Sequence, residues 1–138
     1  MPVIVDTCVW SLSLRRDPES LNKAELSVVE HLEVLIKEDR ERVIGPIRQE
    51  LLSGVREETQ FEKLRNVFRD FDDQPLTTQD YELAAEIDCR CRKHGIAATA
   101  IDVLICAVAE RRGWEVLTTD KDFERYSKVV ELRVHAVP

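Results

Sequence analysis

Apolar residues along this chain follow two rhythms. Short runs rich in β-branched residues predict strands at Val3 to Val5, Arg42 to Gly45, Glu115 to Thr118 and Val129 to Val134, with a minimal further strand near Pro75. Between them the apolar positions recur at helical spacing. Val28, Val29, Leu32, Leu35 and Ile36 mark a helix within Leu21 to Lys37, and Ile47, Leu51 and Leu52 mark one that Pro46 opens and Gly54 closes. Phe61, Leu64 and Phe68 share one face of a segment from about Glu57 to Phe71. Thr78 is placed to cap a helix through Ala84, Ile87 and Cys91 that ends at Gly95. From Thr99 to Gly113 the pattern is apolar nearly all round, which predicts a buried helix. Trp10, Leu12 and Leu14 belong to a loop or short helix, and Lys121 to Tyr126 to another short helix.

Strands alternating with helices imply an α/β fold with a parallel sheet of four to five strands and right-handed crossovers. No repeat, linker or low-complexity tract interrupts the chain, so residues 1–138 read as a single domain. The 43% hydrophobic and 34% charged composition excludes a disordered or fibrous protein. No apolar run approaches the roughly 20 residues needed to span a bilayer, and no basic, cleavable leader precedes the first strand, so a cytoplasmic location is expected. Cys8, Cys89, Cys91 and Cys106 lack zinc-like spacing and are expected to be reduced, structural thiols. The net charge of -7 is unfavourable for phosphate binding, which normally uses a basic surface. The basic clusters Arg15-Arg16, Arg90/Arg92-Lys93 and Arg111-Arg112 read as solvated faces.

Against this background, carboxylates inside apolar sequence stand out: VIVDT, RQELL, AIDVL and TTDKD. Burying an ionised carboxylate costs several kcal/mol, comparable to the whole stability margin of a domain, unless a counter-ion is present. For clustered hard oxygen ligands that ion is Mg²⁺ or Mn²⁺. Asp6 should sit at the carboxyl end of the first strand, where open α/β sheets bind ligands, although an Asp there can equally cap the next turn. Glu50 borders the buried face of its helix or simply faces solvent. Asp102 is the sole charge between Thr99 and Glu110, and as third residue after the cap it can also complete a capping box. Asp120 follows a strand end, close to the same sheet edge as Asp6, and like Asp122 it could instead cap the helix carrying Phe123. Asp122 reads first as a helix cap and second as a ligand. Such a cluster can hold one or two divalent ions, which supply a nucleophilic water and clamp the oxygens of a phosphoryl displacement. Water as nucleophile requires no Ser, Cys or His, and His31, His94 and His135 are expected to be structural or solvated.

The segments VIVDTCVW, GPIRQELLSG and AIDVLICAVAERRGWEVLTTDKDF together resemble PIN-domain nucleases, most closely the VapC toxins of toxin–antitoxin pairs. The resemblance covers essentially the whole chain, and its last segment is the most specific. It implies a three-layer α/β/α domain in which Asp6, Glu50, Asp102 and Asp120 ligate Mg²⁺ or Mn²⁺, with Asp122 a further candidate. It implies that Thr7 and Thr119 hold those ligands by hydrogen bonds. It also implies endonucleolytic cleavage of RNA, a homodimer and a VapB-like antitoxin that blocks the site. The acidic balance departs from what an RNA-binding surface needs.

Three alternatives stay open. A housekeeping RNA-processing PIN nuclease would share the site. A non-catalytic scaffold of the same fold would bind no metal. A phospho-acceptor domain fits less well, because a haloacid-dehalogenase-type phosphatase needs Asp-x-Asp where Asp6-Thr7-Cys8 has one acid. A response-regulator receiver needs an acid pair and a later strand-end Lys, and neither is evident.

Overall fold

A computed structural model describes residues 1–138. Four parallel strands, β1 (Val3–Val5), β2 (Glu41–Ile44), β3 (Asp73–Gln74) and β4 (Glu115–Leu117), form one sheet in the order β3-β2-β1-β4. Val3, Ile4 and Val5 are all fully buried although successive side chains point to opposite faces. Both faces of the sheet are therefore covered, which is why β1 is uniformly apolar rather than alternating.

The covering helices are α1 (Thr7–Leu14), α2 (Lys23–Lys37), α3 (Gly45–Ser53), α4 (Glu58–Phe68), α5 (Thr78–Lys93), α6 (Ala100–Arg112) and α7 (Asp122–Tyr126). Their ends follow local chemistry. Asn22 and Glu25 form a reciprocal capping box at the start of α2, and Thr77 and Asp80 form another at α5. The cap of α5 is therefore Thr77, one residue earlier than Thr78. Thr99 caps α6, and Gly113 ends it in the left-handed conformation (φ 67°) that glycine adopts without penalty. Seven successive residues of α6, Val103 to Ala109, are buried, as its all-round apolar pattern requires.

The segment Val129 to Val134 is not a full strand. Val129 and Val130 continue the turn after α7 by donating to the Tyr126 carbonyl, and only Val134 bridges to Val116. No helix is long and apolar enough to cross a membrane, and all four cysteines are free.

The chain runs β1, β2, β3 outward on one side and then returns to place β4 on the other side of β1. The strand order thus reverses between β1 and β4. In open parallel sheets the crevice beyond the carboxyl ends of the strands at that point is where ligands bind.

Candidate active site

Asp6 follows β1 directly and Thr118, Thr119 and Asp120 follow β4, so the reversal point collects them at one edge. The two strand ends are joined by the Asp6 N–H donating to the Leu117 carbonyl at 2.9 Å. Asp6 is only 5% exposed. Its Oδ1 accepts from the Thr7 N–H at 2.8 Å, and Oδ2 accepts from the Thr118 hydroxyl at 2.8 Å and the Cys8 thiol at 3.4 Å. Asp6 is thus also the N-cap of α1, and the structural and functional readings of this residue coincide. Burial pushes its pKa up to about 6, the nearby Asp102 charge adds to the rise, and the hydrogen bonds oppose it.

Asp102 lies in the first turn of α6. Its N–H donates to the Thr99 hydroxyl at 3.1 Å, while its Oδ2 accepts from the Tyr126 hydroxyl at 2.7 Å. No reciprocal bond from the carboxylate to the Thr99 N–H completes a capping box. Partial burial raises the Asp102 pKa, the Tyr126 hydrogen bond opposes that, and the charges of Asp120 and Glu50 add to it. The same environment drives the Tyr126 phenol well above its ordinary range, so it remains a donor. Asp120 accepts from the Asp122 N–H at 2.9 Å through Oδ1, and its own N–H donates to Thr118 Oγ1 at 3.0 Å.

Several expectations change here. Asp122 does not cap α7; Asp120 satisfies that N–H, and the Asp122 carboxylate pairs with Arg125. The hydroxyl that positions Asp6 belongs to Thr118. Thr119 donates instead to Cys8 Sγ at 3.2 Å, and Thr7 contributes its backbone N–H while its buried hydroxyl finds no protein partner. Glu50, on α3, is exposed on the edge of the group. Thr118 and Tyr126 were not singled out in the sequence. Thr118 adjoins a strand end, a usable signal, but Tyr126 lies 24 residues from Asp102 and only folding brings it there.

A second buried carboxylate, Asp80, belongs elsewhere and has a different counter-ion. Arg112 grips it through Nη1 and Nη2 at 2.9 Å each, and Arg111 Nη1 at 2.6 Å. Arg111-Arg112 is therefore an internal clamp joining α5 to α6 and not a solvated face. His31 and His135 stack at 4.8 Å with their Nε2 atoms 2.6 Å apart, and His135 bonds Glu115 rather than an acid of the group.

The acids sense one another electrostatically, yet no three His, Cys, Asp or Glu side chains converge into a closed cage. Such an open, all-oxygen set fits a hydrated Mg²⁺ or Mn²⁺, which keeps several waters and is held by one or two carboxylates. No Lys or Arg pairs with the buried Asp6, so the protein itself supplies hydrogen bonds but no opposite charge to its ionised form.

Comparison with known proteins agrees with this fold. The chain is similar in structure to FitAcB from Neisseria gonorrhoeae (TM-score 0.74, 24% identity, covering 97% of this chain and 96% of that one). It is similar also to VapBC2 from Rickettsia felis bound to a DNA fragment from their promoter (TM-score 0.70, 18% identity, 98% of each chain). A third similar structure is VapBC-5 from Mycobacterium tuberculosis, a member of the VapBC family of toxin-antitoxin systems (TM-score 0.66, 17% identity, 99% and 100%). No curated protein sequence matches the chain. The PIN domain family matches residues 3–129, nearly the whole chain, and the protein belongs to that family.

Proposed function

We propose that this protein is a divalent-metal-dependent endoribonuclease and the toxin of a toxin–antitoxin pair. The observation that carries the nuclease reading is the buried Asp6 at the β1/β4 reversal point, electrostatically coupled to Asp102 and through it to Asp120 and Glu50. Asp6, Asp102, Asp120 and Glu50 would hold Mg²⁺ or Mn²⁺. When bound, that ion supplies Lewis acidity and offsets the charge that develops on the phosphoryl oxygens. The protein's own contribution is orientation. Thr118 and the Thr7 N–H fix both oxygens of Asp6, and Tyr126 fixes one oxygen of Asp102, leaving its other oxygen for a ligand. No histidine or serine lies among the acids, and burial beside Asp6 pushes the Cys8 thiol up and keeps it protonated, so in this reading water is the nucleophile.

The similarity to VapBC and FitAB structures supports the toxin assignment and a VapB-like antitoxin partner; a homodimer is part of the same proposal. The test is cleavage of a structured RNA mixture with Mg²⁺ or Mn²⁺, beside EDTA and Asp6→Asn. Metal-dependent cutting lost in both controls supports the reading. A partner-free preparation that neither cuts RNA nor binds Mn²⁺ by isothermal titration would replace it with a scaffold role.

A further inference from the structure

A protein of net charge -7 that cleaves a polyanion must hold the chain on both sides of the scissile bond. Most surface of such a protein repels phosphate. The cations must therefore be concentrated and free of internal partners. Many are not free: Arg40, Arg48, Arg90, Arg92, Arg111, Arg112 and Arg125 each form a salt bridge with a carboxylate.

A cleft of about 720 Å³ opens between the end of α1, the end of α3 and α4. Four exposed cations line it, Arg15, Arg16, Arg56 and Lys63, against a single acid, Glu57. None of the four forms a salt bridge. Arg15 donates to the Gly54 carbonyl at 2.8 Å, which holds its guanidinium at the cleft wall while leaving its charge unneutralised.

The cleft shares two of its walls with the elements that carry the carboxylates. One wall is α1, whose first turn is capped by Asp6 and whose 8 residues span about 12 Å at 1.5 Å per residue. Another is the end of α3, which carries Glu50 one turn before Gly54. A chain with a phosphate at the acids thus reaches the cations within a few nucleotides.

We propose that this cleft is the track for the RNA backbone flanking the cleaved bond. The inference rests on the nuclease reading above. No aromatic side chain lines the cleft, so bases are not stacked there; contact is with phosphates and is tolerant of sequence. An acidic protein segment would satisfy the same charges, but walls built from α1 and α3, the helices that follow Asp6 and carry Glu50, favour the polymer that is cut.

The test is binding of a fluorescein-labelled, unstructured 20-mer RNA to the full chain in EDTA, across a KCl series. EDTA prevents cleavage without altering the protein. The cleft variant is R16Q/R56Q/K63Q, with Arg15 kept for its backbone bond, and the charge-matched control is K23Q/K37Q/K93Q. Each phosphate contact on a single strand contributes about 0.7 to the slope of log K against log [salt]. The cleft variant is expected to lose about 2 units of that slope and the control almost none, with circular dichroism unchanged in both. Equal loss in both variants would overturn the cleft as a track, leaving a general charge effect. Wild-type binding and cleavage with an unchanged cleft variant would also overturn it while leaving the nuclease reading standing. If that variant releases a co-expressed acidic partner instead, the cleft belongs to the partner. Absence of RNA binding and cutting by wild-type protein would remove both readings together.

Discussion

Asp80→Asn tests the clamp between α5 and α6, and its effect can be worked from the structure. The Asp80 side chain has no solvent exposure, whereas Arg112 is 22% and Arg111 is 35% exposed. The substitution keeps the volume of the side chain and leaves an oxygen able to accept the Thr77 N–H, so it removes mainly the charge. Breaking a buried ion pair costs about 3–5 kcal/mol. Because both arginines keep partial access to water and can rehydrate, the low end, about 3 kcal/mol, is expected. With an unfolding entropy of about 2.1 cal/mol/K per residue over 138 residues, that loss lowers Tm by about 10 °C at neutral pH.

The pH dependence gives a second reading of the same clamp. Burial alone would raise the Asp80 pKa, but the Arg112 hydrogen bonds, the Thr77 N–H and Arg111 together hold it well below the usual carboxylate range. A depressed folded pKa contributes stability that is complete above the unfolded value, about 3.9, and is lost as pH falls below it. The Tm gap between wild type and D80N is therefore expected to be full at pH 7 and to narrow below pH 4. Differential scanning calorimetry across that range measures both. A Tm within about 2 °C of wild type at pH 7 would refute the argument, showing that desolvation of the pair cancels its attraction.

Three further outcomes are expected. Asp102→Asn should abolish cleavage in an RNA assay yet leave the metal-free protein as stable or slightly more so in a urea melt, since it relieves repulsion among the acids. Tyr126→Phe keeps the buried ring but removes the bond to Asp102, so stability should fall by about 1 kcal/mol and kcat by about tenfold with KM little changed, as steady-state kinetics would show. Asp6 has a folded pKa of about 6, above its unfolded value, so metal-free stability should fall as pH rises from about 4 to 6. Mn²⁺ should accordingly raise Tm more at pH 7 than at pH 5, and a thermal-shift series that shows no such difference would sink that account.

How much of this was legible in the sequence depends on the range of the interaction concerned. The uniformly apolar VIV of β1, the all-round apolar α6 and the Thr99 and Gly113 caps are local signals, and each is present where the pattern placed it. Carboxylates flanked by apolar residues were visible in the sequence, but of the four proposed ligands only Asp6 is buried, while Asp80, which is buried, carried no such signal. The structure places Asp6 and Asp120 at the ends of neighbouring strands. Hydrogen-bond partners were not legible. Thr118 rather than Thr119 positions Asp6; both hydroxyls approach the Cys8 sulfur, and which of them reaches the carboxylate is set by the turn after β4. Val129 to Val134 has the composition of a strand but spends its first residues finishing the turn after α7. Only the tertiary structure distinguished two kinds of buried carboxylate. Asp6 sits where the strand order reverses and pairs with no Lys or Arg, whereas Asp80 on α5 meets two arginines of α6 more than thirty residues away. A sequence states which groups are charged and buried. The distance between charges, which decides whether burial is compensated from within or calls for an ion, is set by the fold.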